Sequence, residues 1–437
     1  MNNLLRRLSS QEIVKVLKDY PFLYFILSVV FSQVAYNMMN VVLIFLIFYL
    51  TASNFSVSIL VLIILVPQVI LSFLGGIVAD LKSKKKVLFY GNLLRGLAIL
   101  LLFFFPNSKL IVYMVALIVS VITQFYLPAE TPIISYLVKR KNLIGANSLF
   151  GISLFGSIFL GYVLAGPATQ IFGRSFVFII LAFLFLIASF FVALIPSKLV
   201  HARVDDIKIT HITRSLKDEI HHLYLLLRYS TEIGSAFFLL ISSQVVVLIL
   251  ATVIPGYAKQ ILNVVVEDLS FLVFAPAAFG MIISALMVGG VFNKVDKHKL
   301  MNIGVLLSAL VLVSFPFINF FSHANLILSL NMFLPSILQI DNVKILFFLA
   351  FLAGYANALI FIPSQTIIQI VVPEYSRSKI FGLLFTLIGA FSLIPVIIAG
   401  GVADVFGVGS VLIGMGVAIF VIGMHGIRSR MLQKRQK

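Results

Sequence analysis

Cysteine is absent from the 437 residues. Disulfides, thiolate metal sites and thiol catalysis are therefore excluded. Charge is scarce as well: Asp, Glu, Lys and Arg make up 11% of the chain, against about a quarter in soluble domains. That composition leaves too little polar surface for a water-soluble enzyme or a nucleic-acid-binding domain. Carboxylate pairs at fixed spacing, a Ser/His/Asp arrangement, a phosphate-binding Gly-Lys loop and metal-ligand spacing are all missing from the sequence. No cofactor, no metal and no enzymatic activity are expected, and ATP hydrolysis has no visible machinery. The first 20 residues mix charges throughout and lack an apolar core of roughly 7–15 residues, so no cleaved secretory signal is expected.

What is present is hydrophobic. The apolar share is 61% and the mean hydropathy is +1.14. A membrane helix needs roughly 20 mostly apolar residues at 1.5 Å each. Twelve segments satisfy that, near 22–50, 56–80, 87–105, 110–138, 143–171, 175–196, 235–258, 269–292, 299–321, 344–372, 378–403 and 408–427. In lipid, backbone polar groups without internal partners are costly, which favours helices over an open sheet. The expected fold class is an all-α integral membrane protein: twelve crossings in two six-helix bundles, 22–196 and 235–427.

The net charge of +17 comes from 32 Lys and Arg against 15 Asp and Glu. With a cytoplasmic amino terminus, 27 of the 32 fall on the inside, against Lys109, Arg174, Lys259 and Lys344 outside, and Arg95 within a crossing. Basic residues concentrate on the cytoplasmic side of membrane proteins. Both termini are therefore expected inside, in a multi-pass protein of the cell membrane. The segments 1–21 and 428–437 form cytoplasmic ends. The excess charge then reads as attraction to anionic lipid rather than to nucleic acid. The polar stretch 197–234 is expected to be a cytoplasmic linker. Ser215 and Asp218 there resemble a helix-capping pattern at the head of an amphipathic surface helix. Its histidines lack tetrahedral metal spacing.

The two halves echo each other. Gly75–Gly76 pair with Gly289–Gly290 at an offset of 214, and Ser32-Gln33-Val34 with Ser243-Gln244-Val245 at 211. PAETPII at 128–134 aligns with PSQTIIQ at 363–369, offset 235, and AGPATQIFG at 165–173 with AGGVADVFG at 399–407, offset 234. The residues 322–344 are an extracellular insertion that accounts for the jump. Inverted or parallel repeats of this kind place a binding site near the bilayer midplane, between halves that rock.

With these features the chain resembles a major facilitator superfamily transporter. Gly76-Ile-Val-Ala-Asp80-Leu-Lys82-Ser-Lys84-Lys85-Lys86 is similar to the family signature G-x-x-x-D-R-x-G-R-R, with Lys82 one place late and Ser83 where glycine is usual. Gly156, Gly161 and Gly166-Pro167 resemble the helix-packing motif of drug–proton antiporters, without its trailing glycine pair. Residues 125–149 and 357–382 resemble the macrolide-efflux-like subgroup. The resemblance implies alternating access, a small-molecule substrate, protons as the coupling ion and a monomer in the bilayer.

Candidate functional residues follow from charge and depth. Gly76, Asp80, Lys82, Lys84 and Lys85 form either a cytoplasmic electrostatic gate that breaks as the halves rock or an ordinary lysine-rich loop. Arg95 lies nine residues past Lys86, and Glu130 nine before Lys139 on the next crossing. Both therefore sit about 13 Å from the basic boundary. An isolated charge there costs at least ~2.5 kcal/mol, so an Arg95–Glu130 pair is expected. It is either a coupling site for a proton or a static structural pair. Pro128 and Pro132 should loosen the helix around Glu130. The amides Gln33, Asn37, Asn40, Gln124, Gln244, Asn357, Gln365 and Gln369, with Tyr126, mark either a substrate cavity or interhelical hydrogen bonds. Asp341 and Asp404 are expected as cap or loop residues at the outer surface. The favoured activity is export of lipophilic or amphipathic small molecules in exchange for protons. The rivals are a lysophospholipid flippase on the same fold and a non-transporting receptor or scaffold.

Overall fold

The computed structural model describes residues 19–139, 143–197, 231–292, 295–322, 329, 331, 335, 339–371 and 374–435. The predicted surface helix in the linker and most of the insertion lie outside these residues. The described regular structure is helical: α1 (Tyr20–Thr51), α2 (Asn54–Leu81), α3 (Lys84–Phe104), α4 (Lys109–Glu130), α5 (Leu143–Leu194), α6 (Thr231–Tyr257), α7 (Ala275–Gly289), α8 (Lys297–Ser314), α9 (Asn342–Val371), α10 (Glu374–Phe406) and α11 (Val408–Arg435). Among the described residues, ten apolar stretches are long enough to cross a membrane, and Val408–Met424 is a shorter apolar helix. One of the ten, Leu149–Leu194, runs for 46 residues, more than twice the ~20 that one crossing needs. It breaks at Gly173, whose φ of 80° and ψ of 165° are not helical. Its two arms and the final helix bring the total to the twelve crossings of the expected fold.

The chain divides into two compact units. The first holds 1–50 and 62–207; the second holds 51–61 and 208–437. In the first, α3 packs on α4 and on α5. Phe22 and Phe25 of α1, Leu88 of α3, Tyr126 of α4 and Phe150 and Val192 of α5 meet in its buried cluster. In the second, α9 packs on α6, α7 and α8, and α10 on α6. Its cluster joins Ile233, Phe237, Met301, Ile368 and Leu384. Bulky apolar side chains also cover the outside. Phe176, Phe183 and Phe190, seven residues apart on the second arm of α5, are each about 60% exposed. That spacing puts them in one stripe along a helix. Such a stripe is unfavourable in water and at home against acyl chains.

The internal repeat is visible in the backbone. Among the described residues, the non-glycine positions with positive φ are Ala52 (47°) and Asn263 (54°), separated by 211. Glycines with positive φ are Gly173 (80°) and Gly407 (81°), separated by 234. These are the offsets of the sequence echoes. The two halves of the sequence therefore turn with positive φ at equivalent positions, a conformation that costs an L side chain energy and is retained where the turn requires it.

Two glycines of the predicted motifs mark close helix approaches. A side chain at Gly75 would strike the Gln124 carbonyl of α4. One at Gly161 would lie 2.8 Å from the Asn37 side chain and 2.9 Å from the Met38 nitrogen and Val34 oxygen of α1. Gly156, by contrast, faces nothing within 4 Å. Of the helix-packing set, Gly161 is the contact that needs a missing Cβ, while Gly166 is buried and Pro167 half-buried within α5. Gly161→Val should lower thermal stability by about 1–3 kcal/mol of overpacking strain, read as a drop in Tm in detergent. Gly156→Val should leave Tm nearly unchanged; equal losses from both would refute the packing assignment.

Candidate functional site

The polar centre of the first unit is built where α1, α3, α4 and the second arm of α5 meet. Helix α4 stops at Glu130. Pro128 and Pro132 remove backbone donors there, and a turn of three residues leads into one short helical turn, Ile134–Leu137. The backbone bonds from Ile134 to Thr131, Ser135 to Pro132 and Tyr136 to Ile133 all span three residues, the tighter pattern of a 3₁₀ turn. The proline loosening anticipated from the sequence thus ends the helix, and Glu130 is carried on its last turn.

Arg95 is 1% exposed and Glu130 2%. They do not form the direct ion pair expected from their depth. Arg95 donates through Nη2 to the Asn92 Oδ1 (2.7 Å) and the Ser32 hydroxyl (3.1 Å), and through Nε to the Gly91 carbonyl (3.1 Å). Its guanidinium carbon lies over two aromatic rings, 3.9 Å from the Tyr126 ring centroid and 4.9 Å from that of Phe185. A planar, delocalised cation is well suited to such ring contacts. Ser32 donates in turn to Asn92 at 2.9 Å. Glu130 accepts from the Gln33 amide on both carboxylate oxygens, at 3.1 and 3.4 Å.

The reason the pair is indirect lies in the helix geometry. Tyr126 precedes Glu130 by four residues, so its ring and the carboxylate share one face of α4, one turn or about 6 Å apart along the axis. The ring takes the position nearest the cation. The carboxylate, at the helix end, turns to α1. Each charge is solvated by its own neutral dipoles, and the two still attract across a medium that screens weakly. Sequence reasoning missed Ser32, Asn92 and Phe185 as members of this centre. Asn92, three residues before Arg95 on one helix face, was the available signal.

The other candidates divide between the units. In the first, Gln33, Asn37, Gln124 and Tyr126 are buried and Asn40 half-buried. Asn37 bonds to the Gln33 carbonyl (2.7 Å) and Gln124 to the Ser120 carbonyl (3.3 Å). Both amides thus bond to carbonyls one turn earlier on their own helices rather than across to a neighbouring helix. In the second unit Gln244, Asn357 and Gln365 are half-buried and Gln369 exposed. At the repeat offsets, Arg95 corresponds to Ala309 and Glu130 to Gln365. The charged centre therefore belongs to the first unit alone.

The basic end of α3 is also structured. Lys84 is buried with its ammonium 5.5 Å from the Tyr136 ring centroid. Lys85 donates to the Ala193 carbonyl (3.0 Å) and the Ser197 hydroxyl (3.2 Å), a cation placed at the negative end of α5. Lys82 is exposed. The surroundings of Gly76 and the side chain of Asp80 lie outside what is described, so the proposed gate is seen only through its lysines.

Two helical units, a lipid-exposed apolar surface and a buried charged centre within one unit define a multi-pass membrane protein of the transporter type. The Major Facilitator Superfamily profile matches residues 25–337; the chain belongs to that family, whose members are transporters and not enzymes. An uncharacterized MFS-type transporter, YfiS of Bacillus subtilis (strain 168), is 23% identical over 385 residues, 86% of this chain and 85% of that protein. Among solved structures, the nucleoside transporter NupG superposes with a TM-score of 0.72 at 13% identity, over 93% of this chain and 98% of its own. A bacterial homolog of the human lysosomal transporter Spinster gives 0.68 at 12%, over 95% and 97%. The POT family transporter PepTSo gives 0.67 at 12%, over 95% and 99%. Identities this low speak for the fold.

Replacing Arg95 by Met should cost about 3 kcal/mol, because Glu130 then lacks a counter-charge in a buried site. Adding Glu130→Gln should recover part of that loss in a thermal-shift measurement. Strictly additive losses would show that the two charges do not sense each other.

Proposed function

We propose that this chain is a secondary active transporter that exports lipophilic or amphipathic small molecules by alternating access in exchange for protons. The observation that carries the reading is the Glu130 carboxylate. It is buried, bonded by the neutral Gln33 amide, and placed beside a fixed cation with which it makes no direct ion pair. Among the described residues it is the one buried acid of the first unit. A carboxylate so held can take up a proton without breaking a salt bridge, and its charge changes the attraction to Arg95 when it does. The sharp end of α4 supplies a backbone that can adjust as that happens. Half-buried amides on α6 and α9 offer uncharged hydrogen-bonding groups suited to a substrate with little charge of its own.

The resemblance of 125–149 and 357–382 to macrolide-efflux-like transporters supports export as the direction. The distribution of Lys and Arg supports both termini in the cytoplasm and residence in the cell membrane. Both units come from one polypeptide, so a monomer suffices.

Cells expressing the protein should accumulate less ethidium than controls, and a proton gradient imposed on proteoliposomes should drive ethidium uptake or release. Glu130→Gln, which preserves the shape and the partner Gln33, should reduce coupled transport at least tenfold. Full gradient-driven transport by that variant would refute the proton role. Unchanged accumulation across a panel of dyes and antibiotics, with labelled lysolipid crossing proteoliposome membranes in the absence of a pH gradient, would replace drug export by lipid flipping.

A further inference from the structure

Helix α2 is continuous from Asn54 to Leu81, yet the boundary between the compact units falls within it. Residues 51–61 belong with the second unit, and 62 onward with the first. On the first-unit side, the Ser120 hydroxyl of α4 donates to the Ile64 carbonyl at 2.6 Å. On the second-unit side, the tie is Asp404 near the end of α10. Its Oδ2 accepts from the Ser53 hydroxyl (2.6 Å) and the Phe55 backbone nitrogen (3.1 Å). Its Oδ1 accepts from the Asn54 backbone nitrogen (2.8 Å) and side-chain amide (2.9 Å). One carboxylate therefore satisfies two of the orphan donors at the start of α2 and also faces the positive end of that helix. The capping residue comes from 350 positions away in sequence.

The surrounding packing is shaped for this clasp. Val396, Gly400 and Asp404 lie four residues apart on one face of α10. Ser58 donates to the Val396 carbonyl at 2.8 Å. A side chain at Gly400 would strike the Ser58 hydroxyl, and one at Gly256 of α6 would strike the Asn54 amide. Asn54 and Ser58 thus sit in a notch made by two missing side chains, closed at its end by Asp404. The repeat sharpens the point, since Gln170 occupies the position equivalent to Asp404 in the first unit.

We propose that Asp404 is a releasable clasp. It holds the Asn54 end of α2 within the second unit, and the transport cycle passes through a state in which α2 moves whole with the first unit and the clasp is open. This rests on the alternating-access reading, but its test needs no substrate. Because the chain has no cysteine, Val57→Cys, which replaces a fully buried side chain just inside the clasp, introduces a single thiol. Its rate of reaction with a maleimide is measured on the purified full-length protein in detergent.

Adding Asp404→Asn should accelerate labelling about fivefold, the equilibrium factor expected from losing one helix-capping carboxylate. Ser53→Ala, which removes one of the four bonds, should give a smaller rise and carries the test if Asp404→Asn does not fold. A control thiol from Val177→Cys, buried in the first unit, should keep its rate. Unchanged labelling at position 57 in both variants would overturn the proposal. Equal acceleration at 57 and 177 would also overturn it, since that is global loosening. Loss of ethidium transport with normal clasp behaviour would bear on the substrate reading and leave the clasp intact.

Discussion

Burying a guanidinium and a carboxylate among apolar helices is the constraint around which the first unit is organised. Neither charge has water to fall back on, so each must be supplied with dipoles from neighbouring helices. Arg95 takes Asn92 and Gly91 from its own helix, Ser32 from α1 and two aromatic faces from α4 and α5. Glu130 takes Gln33 from α1. Four crossings are thereby tied to one centre. The close approach of α1 and α5 at Gly161 brings Asn37 and its neighbours on α1 into register with that centre. Keeping the charges a helical turn apart leaves the acid able to change protonation without dismantling the cation's shell.

The two units share a scaffold and differ in chemistry. Left-handed residues at equivalent turns, Ala52 with Asn263 and Gly173 with Gly407, show that the chain path is repeated. The charges are not. Ala309 and Gln365 stand where the first unit has Arg95 and Glu130, and the Ser243 hydroxyl of the second unit bonds back to its own helix at Leu240. At these equivalent positions one copy of the duplicated fold holds a charged pair of side chains and the other a methyl group and a neutral amide.

Helix ends carry a second layer of organisation. Lys85 serves the carbonyl end of α5, Gln260 accepts from the first nitrogen of α11, Asp341 accepts from Lys344 at the start of α9, and Asp404 serves α2. These bonds are exposed or part-buried, so they are weaker and more readily exchanged than those of the buried central cluster. That is where a bundle can change its connections without unfolding.

Much of this was legible in the linear chain. Long apolar runs dictate helices because lipid leaves the backbone no other partner; the depth of Arg95 and Glu130 follows from 1.5 Å per residue; Pro128 and Pro132 announce the break in α4. The internal repeat can be read from Gly75, Ser32 and their echoes. What the sequence could not specify was the partner of each group. A carboxylate's preference between an arginine and a glutamine depends on rotation about helix axes and on which ring arrives first, and those are set by packing across helices far apart in the chain. For the same reason Asp404 is recognisable as a cap from its type and place, while the helix it caps is decided only when α10 and the start of α2 are brought together through the notch left by Gly256 and Gly400.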